Sequence, residues 1–181
     1  CRDIVIVDFD GKTVEGRLRP SSDTPTHAVL YRTFGNIGGI VHTHSVFATA
    51  WAQGVRPIPI YGTTHADHAA TDIPCTELMS DAKIERDYEV ETGNQIIDCF
   101  AAKSLNPAET QMVLVAGHGP FTWGENADKA VYNAKILEEL ARMAFLTEQI
   151  NPSATRLKKS LIAKHYERKH GKDAYYGQNK I

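Results

Sequence analysis

Met112-Val113-Leu114-Val115-Ala116 is an unbroken apolar run closed by Gly117. It is too short for an ordinary helix and lacks the polar–apolar alternation of a half-solvated strand. A strand that is apolar on both faces has to be covered on both, so the rest of the chain must supply layers above and below it. The longest candidate is a helix capped at Asn126 and running to about Ile150. Its apolar residues Ala130, Val131, Ala134, Leu137, Leu140, Ala141, Ala144 and Phe145 recur at helical spacing. Strands and helices alternate without a strict βαβ rhythm, which predicts an α/β fold with a mixed or antiparallel sheet and helices on its faces. With 181 residues, 42% hydrophobic and 23% charged, the chain fits one domain, residues 1–181, and is not a disordered, collagenous or coiled-coil sequence.

The other elements follow from local signals. Residues 3–9 read as a buried strand, and Asp10-Gly11 turns the chain into a second strand through Val14. A helix is predicted over Thr26–Phe34, a strand over Gly38–Ser45 and a helix over Val46–Gln53. Gly62 to Pro74 is rich in Thr, Asp and His without periodicity and reads as a long polar loop of the functional kind. Helices over Ser80–Tyr88 and Gly93–Ser104, a strand over Phe121–Gly124 and a last helix from about Thr155 to His170 complete the set. Asp173 to Gln178 then form an exposed tail.

Composition narrows the function. No apolar run approaches the roughly 18 residues of a membrane span and the start does not resemble a signal peptide, so the protein is expected in the cytoplasm with no membrane partner. Cys1, Cys75 and Cys99 are an odd number without CxxC spacing, which points away from a disulfide framework or thiolate zinc site; Cys75 and Cys99 read as small core residues. A chain opening at Cys1, straight into a strand-like run without Met, reads as lacking its native start. The net charge of −2 is uneven: residues 151–181 carry eight Lys/Arg against two Asp/Glu, a +6 tail on a −8 body. The basic helix Arg156–Lys169 is more simply a solvated face than a nucleic-acid contact, and the acidic body argues against nucleic acid as the main partner.

Eight histidines stand out. His42 and His44, at i and i+2 on a predicted strand, project to one side, and His118 follows the apolar strand between Gly117 and Gly119. One such histidine alone is an ordinary polar residue. Three neutral imidazoles with an open fourth position are the pattern of a catalytic divalent metal such as Zn2+. A cupin would need a nearby downstream Glu, where Val46 to Thr49 stand, and an amidohydrolase barrel needs about 250 residues. Asp23, after Ser21 and Ser22 and ahead of a helix, reads first as a helix cap and second as part of an anion cradle. Asp67 is either an Asx-turn residue or an acid/base, and Tyr175-Tyr176 a docking anchor or proton donor.

The strings PSSDTPTH (20–27), GGIVHTHS (38–45), GTTHAD (62–67), DIPCT (72–76), HGPFTWG (118–124) and KHYERKHGKDAYYGQ (164–178) resemble the L-ribulose-5-phosphate 4-epimerase family of the class II aldolase/epimerase superfamily. The resemblance covers nearly the whole chain, and GTTHAD and YYGQ mark the epimerases within the superfamily. It implies an α/β/α sandwich around a largely antiparallel central sheet, a zinc-dependent homotetramer and active sites between subunits, with Mn2+ an alternative metal. His42, His44 and His118 match the metal ligands and Asp23 an acidic residue near the metal. Asp67 and Tyr176 match an acid/base pair contributed by the neighbouring subunit, Ser21 and Ser22 match phosphate contacts, and His165 a further active-site position. Related aldolases such as fuculose-phosphate aldolase carry Glu where Asp23 stands, which weighs against simple aldol cleavage. Two features depart from the family: several dozen residues that help hold substrate there precede the position of Cys1, and His68-Ala69-Ala70 stand where aromatics are usual.

The implied reaction inverts C4 of L-ribulose 5-phosphate, giving D-xylulose 5-phosphate. C4 lies one carbon beyond the position that a C2 carbonyl acidifies, so breaking and rejoining C3–C4 replaces simple deprotonation. A proton must then move at the C4 oxygen on either face, which calls for two groups. The alternatives are a class II aldolase that releases its aldehyde, and an adducin-like interaction module, in which the metal ligands are missing.

Overall fold

The computed structural model describes residues 3–172 and 174–175. Its elements are β1 (Ile6–Val7), β2 (Thr13–Glu15), α1 (Thr24–Thr33), β3 (Gly39–His42), α2 (Val46–Gln53), α3 (Thr63–Ala66), α4 (Asp81–Ala102), β4 (Met112–Val115), β5 (Gly119–Gly124), α5 (Ala127–Ile150) and α6 (Lys159–His170). The main sheet has the order β3-β5-β4, antiparallel throughout. A parallel bridge between Cys75 and Leu114, and an antiparallel one between Ile58 and Ile73, carry it outward past β4.

β4 is covered on both faces, as its composition demands. Met112, Leu114 and Ala116 pack with Ala48 and Trp51 of α2 and with Leu137, Leu140, Ala141 and Ala144 of α5. Val113 and Val115 point the other way and join Phe121 and Trp123 of β5 with Leu30 and Phe34 of α1 and Ile96 and Phe100 of α4. Strand alternation thus divides five consecutive residues between two cores, and the result is the α/β/α sandwich. The buried indoles are satisfied: Trp51 donates to the Ala141 carbonyl (3.0 Å) and Trp123 to that of Pro107 (2.8 Å). Gly39 is required where β3 meets the start of α5, since a Cβ there would lie 2.6 Å from the Ala127 Cα.

Several boundaries differ from expectation for identifiable reasons. The opening hairpin is short and exposed instead of a buried strand, with Ile6 48% and Phe9 58% exposed; α1 reaches it through Arg32, which pairs with Asp10 and lies over the Phe9 ring. α1 starts earlier, at Thr24, since Pro25 suits a first helical turn. β3 ends at His42, three residues before the expected end, and β5 begins earlier, at Gly119. The polar loop contains the single turn α3. The two expected helices between 80 and 104 form one element, broken at Asp87. In α5, Asn126 caps as expected, its side chain accepting the Lys129 N–H at 2.8 Å, but Val131 and Phe145 are exposed and Asn133 is buried in their stead. Asn133 donates to the Trp123 carbonyl and to Gln111, both at 2.8 Å, which offsets its burial.

The basic C-terminal segment does not present a plain solvated face. α6 has no buried residue and begins at Lys159, after the expected Thr155. Polar contacts hold it and the segment leading to it: Arg156 pairs with Asp72 at 2.8 Å, the Leu157 N–H donates to the Ile60 carbonyl, and Arg168 pairs with Asp67 at 3.0 Å. Cys75 and Cys99 are buried free thiols, as expected. Cys1 and Tyr176 lie outside the described residues. No helix among those described is long and apolar enough to cross a membrane.

His65 in α3 is 4% exposed, and its pKa is pushed down to about 4 because burial disfavours the charged ring. With a folded pKa below the unfolded value of 6.5, its contribution is full above pH about 6.5 and is lost as the pH falls towards 4. At about 1.4 kcal/mol per unit this amounts to roughly 3 kcal/mol. Urea denaturation in the presence of a chelator should show that loss, and His65→Gln should flatten the dependence; equal slopes in the two proteins would refute the assignment.

Candidate metal centre

The three histidines singled out by spacing converge. His42 closes β3 opposite Phe121 of β5, its ring stacked on the Phe121 ring at 4.1 Å between centroids. His44 lies two residues on in extended chain, and His118 in the turn between β4 and β5. Their ligand atoms all fall within 4.8 Å of one another, and the Nε2 atoms of His42 and His44 are 3.1 Å apart. Tetrahedral coordination at about 2.0–2.1 Å per nitrogen places two donors roughly 3.3 Å apart, close to that spacing.

The surroundings suit cation binding by neutral rings. His42 donates its Nδ1 hydrogen to the Pro120 carbonyl at 2.9 Å, leaving Nε2 as the lone-pair donor. Burial holds the His42 pKa below the usual imidazole range, against the opposing effects of Pro120 and Asp23. Burial also lowers that of His118, with help from His42 and His44. Gly119 permits the approach: a Cβ there would sit 2.8 Å from the Thr43 carbonyl oxygen and within 3.4 Å of both the His44 and His42 rings. α2 begins two residues after His44, and its first turn is held from a distance by Glu138 of α5, whose two carboxylate oxygens accept the N–H groups of Phe47 and Ala48 at 2.9 Å each.

A cavity of about 550 Å³ opens beside His42, in the range of small-molecule sites. Ser21, Asp23, His27 and Tyr31 line it. The Asp23 side chain does not cap α1, contrary to the simpler reading, because Thr24 and Ser21 close that turn between themselves. It faces the cavity as an acidic neighbour acting on His27, His42 and His118 at longer range, outside the close set of three ligand atoms. Ser21 accepts the Asp23 N–H at 3.2 Å, while Ser22 is exposed and is not among the lining residues. The sequence alone assigns no role to His27, although it ends the string PSSDTPTH. Its Nε2 is buried without a hydrogen-bond partner, and burial lowers its pKa.

Asp67 and His165 meet at a second centre. The Asp67 carboxylate accepts from His165 Nδ1 (3.0 Å) and Arg168 (3.0 and 3.2 Å), with Lys169 at 3.7 Å. Burial alone would raise the Asp67 pKa; His165, Arg168 and Lys169 outweigh it and hold the group ionised below the usual carboxylate range. The Asx-turn alternative does not hold. Arg168 and Lys169 were missed, although His165 and Arg168 stand at i and i+3 on one helical face, a readable signal. Among the described residues, no hydrogen bond, ring contact or cavity joins this centre to the three histidines of the same chain.

A sandwich with this strand order and a three-histidine cluster at the end of its central strands is the class II aldolase type, and the sequence agrees. The chain belongs to the class II aldolase and adducin N-terminal domain family, whose model matches residues 2–145. It is similar to the L-ribulose-5-phosphate 4-epimerase UlaF of Salmonella paratyphi B, with 51% identity over 97% of this chain and 76% of that protein. Among solved structures it is similar to an L-fuculose 1-phosphate aldolase, with TM-score 0.72 and 22% identity over 91% of this chain and 70% of that one. The L-fuculose 1-phosphate aldolase of Glaciozyma antarctica also aligns at TM-score 0.72, with 15% identity over 96% of this chain and 63% of the other. At such identities the two structures speak to the fold alone.

Gly119→Ala should push the Thr43 carbonyl away, cost about 1–3 kcal/mol and weaken metal binding, because Thr43 joins His42 to His44 and the His44 ring is crowded as well. Denaturation and metal content by mass spectrometry read the two effects; unchanged values in both would show that the close approach is not needed.

Proposed function

We propose that the protein is a metal-dependent epimerase that interconverts L-ribulose 5-phosphate and D-xylulose 5-phosphate by opening and reclosing the C3–C4 bond. The observation that carries this reading is the convergence of His42, His44 and His118 in a chain half identical to proteins named for that reaction. The metal ligands argue against a non-catalytic, adducin-like module.

The reading assigns a task to each group. The imidazoles of His42, His44 and His118 would hold one divalent cation, Zn2+ or Mn2+, with Asp23 as its acidic neighbour. Bound there, the cation supplies polarisation of the ketone and adjacent hydroxyl oxygens of the sugar. Ser21 and Ser22, with the start of α1, receive the phosphate. Asp67, ionised at neutral pH, and Tyr176 exchange the proton of the C4 hydroxyl, one on each face, and His165 orients Asp67. When that proton leaves, C3–C4 opens to glycolaldehyde phosphate and the enediolate of dihydroxyacetone, which keeps the electron pair of the broken bond. Rotation of the aldehyde before the bond reforms returns the opposite configuration. The separation of the Asp67 centre from the histidines within one chain supports sites shared between subunits of a homotetramer, acting in the cytoplasm.

Incubating the purified protein with L-ribulose 5-phosphate should yield D-xylulose 5-phosphate, with only slow leakage of dihydroxyacetone and glycolaldehyde phosphate. Accumulation of the fragments as the main product would make it an aldolase, and no turnover with metal bound would remove both enzymatic readings.

Refolding His118→Ala together with Asp67→Asn should restore activity at about a quarter of the sites, those pairing an intact metal set with an intact Asp67. Mixed oligomers no more active than either variant alone would place both groups in one subunit's site.

A further inference from the structure

α4 is continuous in sequence but breaks at Asp87, whose backbone is extended at φ −165°, ψ 87°. The cause is local. The Asp87 carboxylate accepts the Val90 N–H at 3.3 Å, the three-residue reach of an N-cap, so a fresh helical segment starts at Tyr88. Contacts on either side brace the break: Arg86 before it pairs with the buried Glu91 beyond it. Thr26 of α1 donates to the Glu89 carbonyl at 2.6 Å, and Thr92 to that of Tyr88 at 2.8 Å. Tyr88 is thereby held where its hydroxyl lies 3.3 Å from Nδ1 of His118, with the ring centroids 6.1 Å apart, so the hydroxyl makes the contact and not the ring face.

His118 needs such a contact more than His42 does. His42 is stacked on Phe121 and tied to the Pro120 carbonyl. His118 sits in a turn between two glycines, one of them, Gly117, at φ +70°, and neither neighbour has a side chain to pack on its ring. Among the described residues its second ring nitrogen meets no backbone carbonyl; Tyr88 is its hydrogen-bond partner. A metal-binding imidazole ordinarily donates its other N–H, which fixes both tautomer and ring orientation.

We infer that Tyr88 is a positioning residue for the third histidine. Its hydroxyl oxygen accepts the Nδ1 hydrogen of His118, leaving the Nε2 lone pair for the cation and stopping ring rotation over the turn. The role rests on the metal reading above but can fail separately from it. Tyr88 is 38% exposed, so Tyr88→Phe removes one hydroxyl at little cost to folding.

The experiment compares wild type, Tyr88→Phe, His118→Ala and the double variant for Zn2+ affinity by chelator competition, and for the visible spectrum of the Co2+-loaded protein. Tyr88→Phe should bind Zn2+ about 10–100-fold more weakly and shift the cobalt bands, with the metal-free melting temperature unchanged. In the His118→Ala background, Tyr88→Phe should cost nothing further. Wild-type affinity and spectrum in Tyr88→Phe would overturn the role of Tyr88 alone, and so would additive losses in the double variant or a large drop in metal-free stability. A wild-type protein that binds no Zn2+, or binds it independently of His118, would overturn the metal reading itself.

Discussion

Everything in this molecule hangs on the backbone register of β5. The strand is buried along its whole length and pairs on one side with β3, His42 opposite Phe121, and on the other with β4, Val115 opposite Gly119. Those two pairings place the end of β3 and the β4–β5 turn side by side, so residues 42, 44 and 118 meet although more than seventy positions separate the first from the last. Hydrogen-bonded register is discrete. A slip of one residue in either pairing would turn the side chains to the other face and separate the histidines. The two cores that clamp the sheet therefore also secure the ligand geometry.

The chemistry is organised as two electrostatic environments of opposite kind. At the sheet end, burial and mutual repulsion keep His42 and His118 neutral, the state a cation requires. Beyond α3, Asp67 is kept charged by His165, Arg168 and Lys169, which also dock a helix with no buried residue of its own. Part of the charge imbalance between body and tail is thus met inside the chain, where Arg156 pairs with Asp72 and Arg168 and Lys169 with Asp67. In the proposed reaction neither environment could do both tasks, because the group that takes the hydroxyl proton would have to be ionised and the rings that hold the cation neutral.

Much of the layered fold was legible. A strand apolar on both faces called for two covering layers, and the cap at Asn126 with the stripe through Ala144 marked α5 correctly, since both signals are local. The hairpin at the start was misjudged as buried because apolar composition says what a strand can pack against, not whether anything lies there. The helix break at Asp87 was only half seen, as two helices with a gap. Asp87 is a capping residue by type, but its direction is set by the Arg86–Glu91 pair and the Thr26 bond. At the site, HxH spacing and a glycine-flanked histidine identified the cluster. Asp23 looked like a cap because local statistics favour that role, whereas the helix turn is closed by its neighbours and its carboxylate is turned to the cavity.

Near-neighbour signals and shared motifs were enough for most element types, the three histidines that cluster, the family and the class of chemistry. The tertiary structure decided what depends on distant groups. Glu138 of α5 caps α2 behind His44, Tyr88 across the break in α4 reaches His118, and Arg168 with His165 of α6 sets the charge on Asp67. Each is a contact between residues thirty or more positions apart, and no periodicity encodes it, because only the packing of helices against one sheet determines which side chains come within a few ångströms of each other.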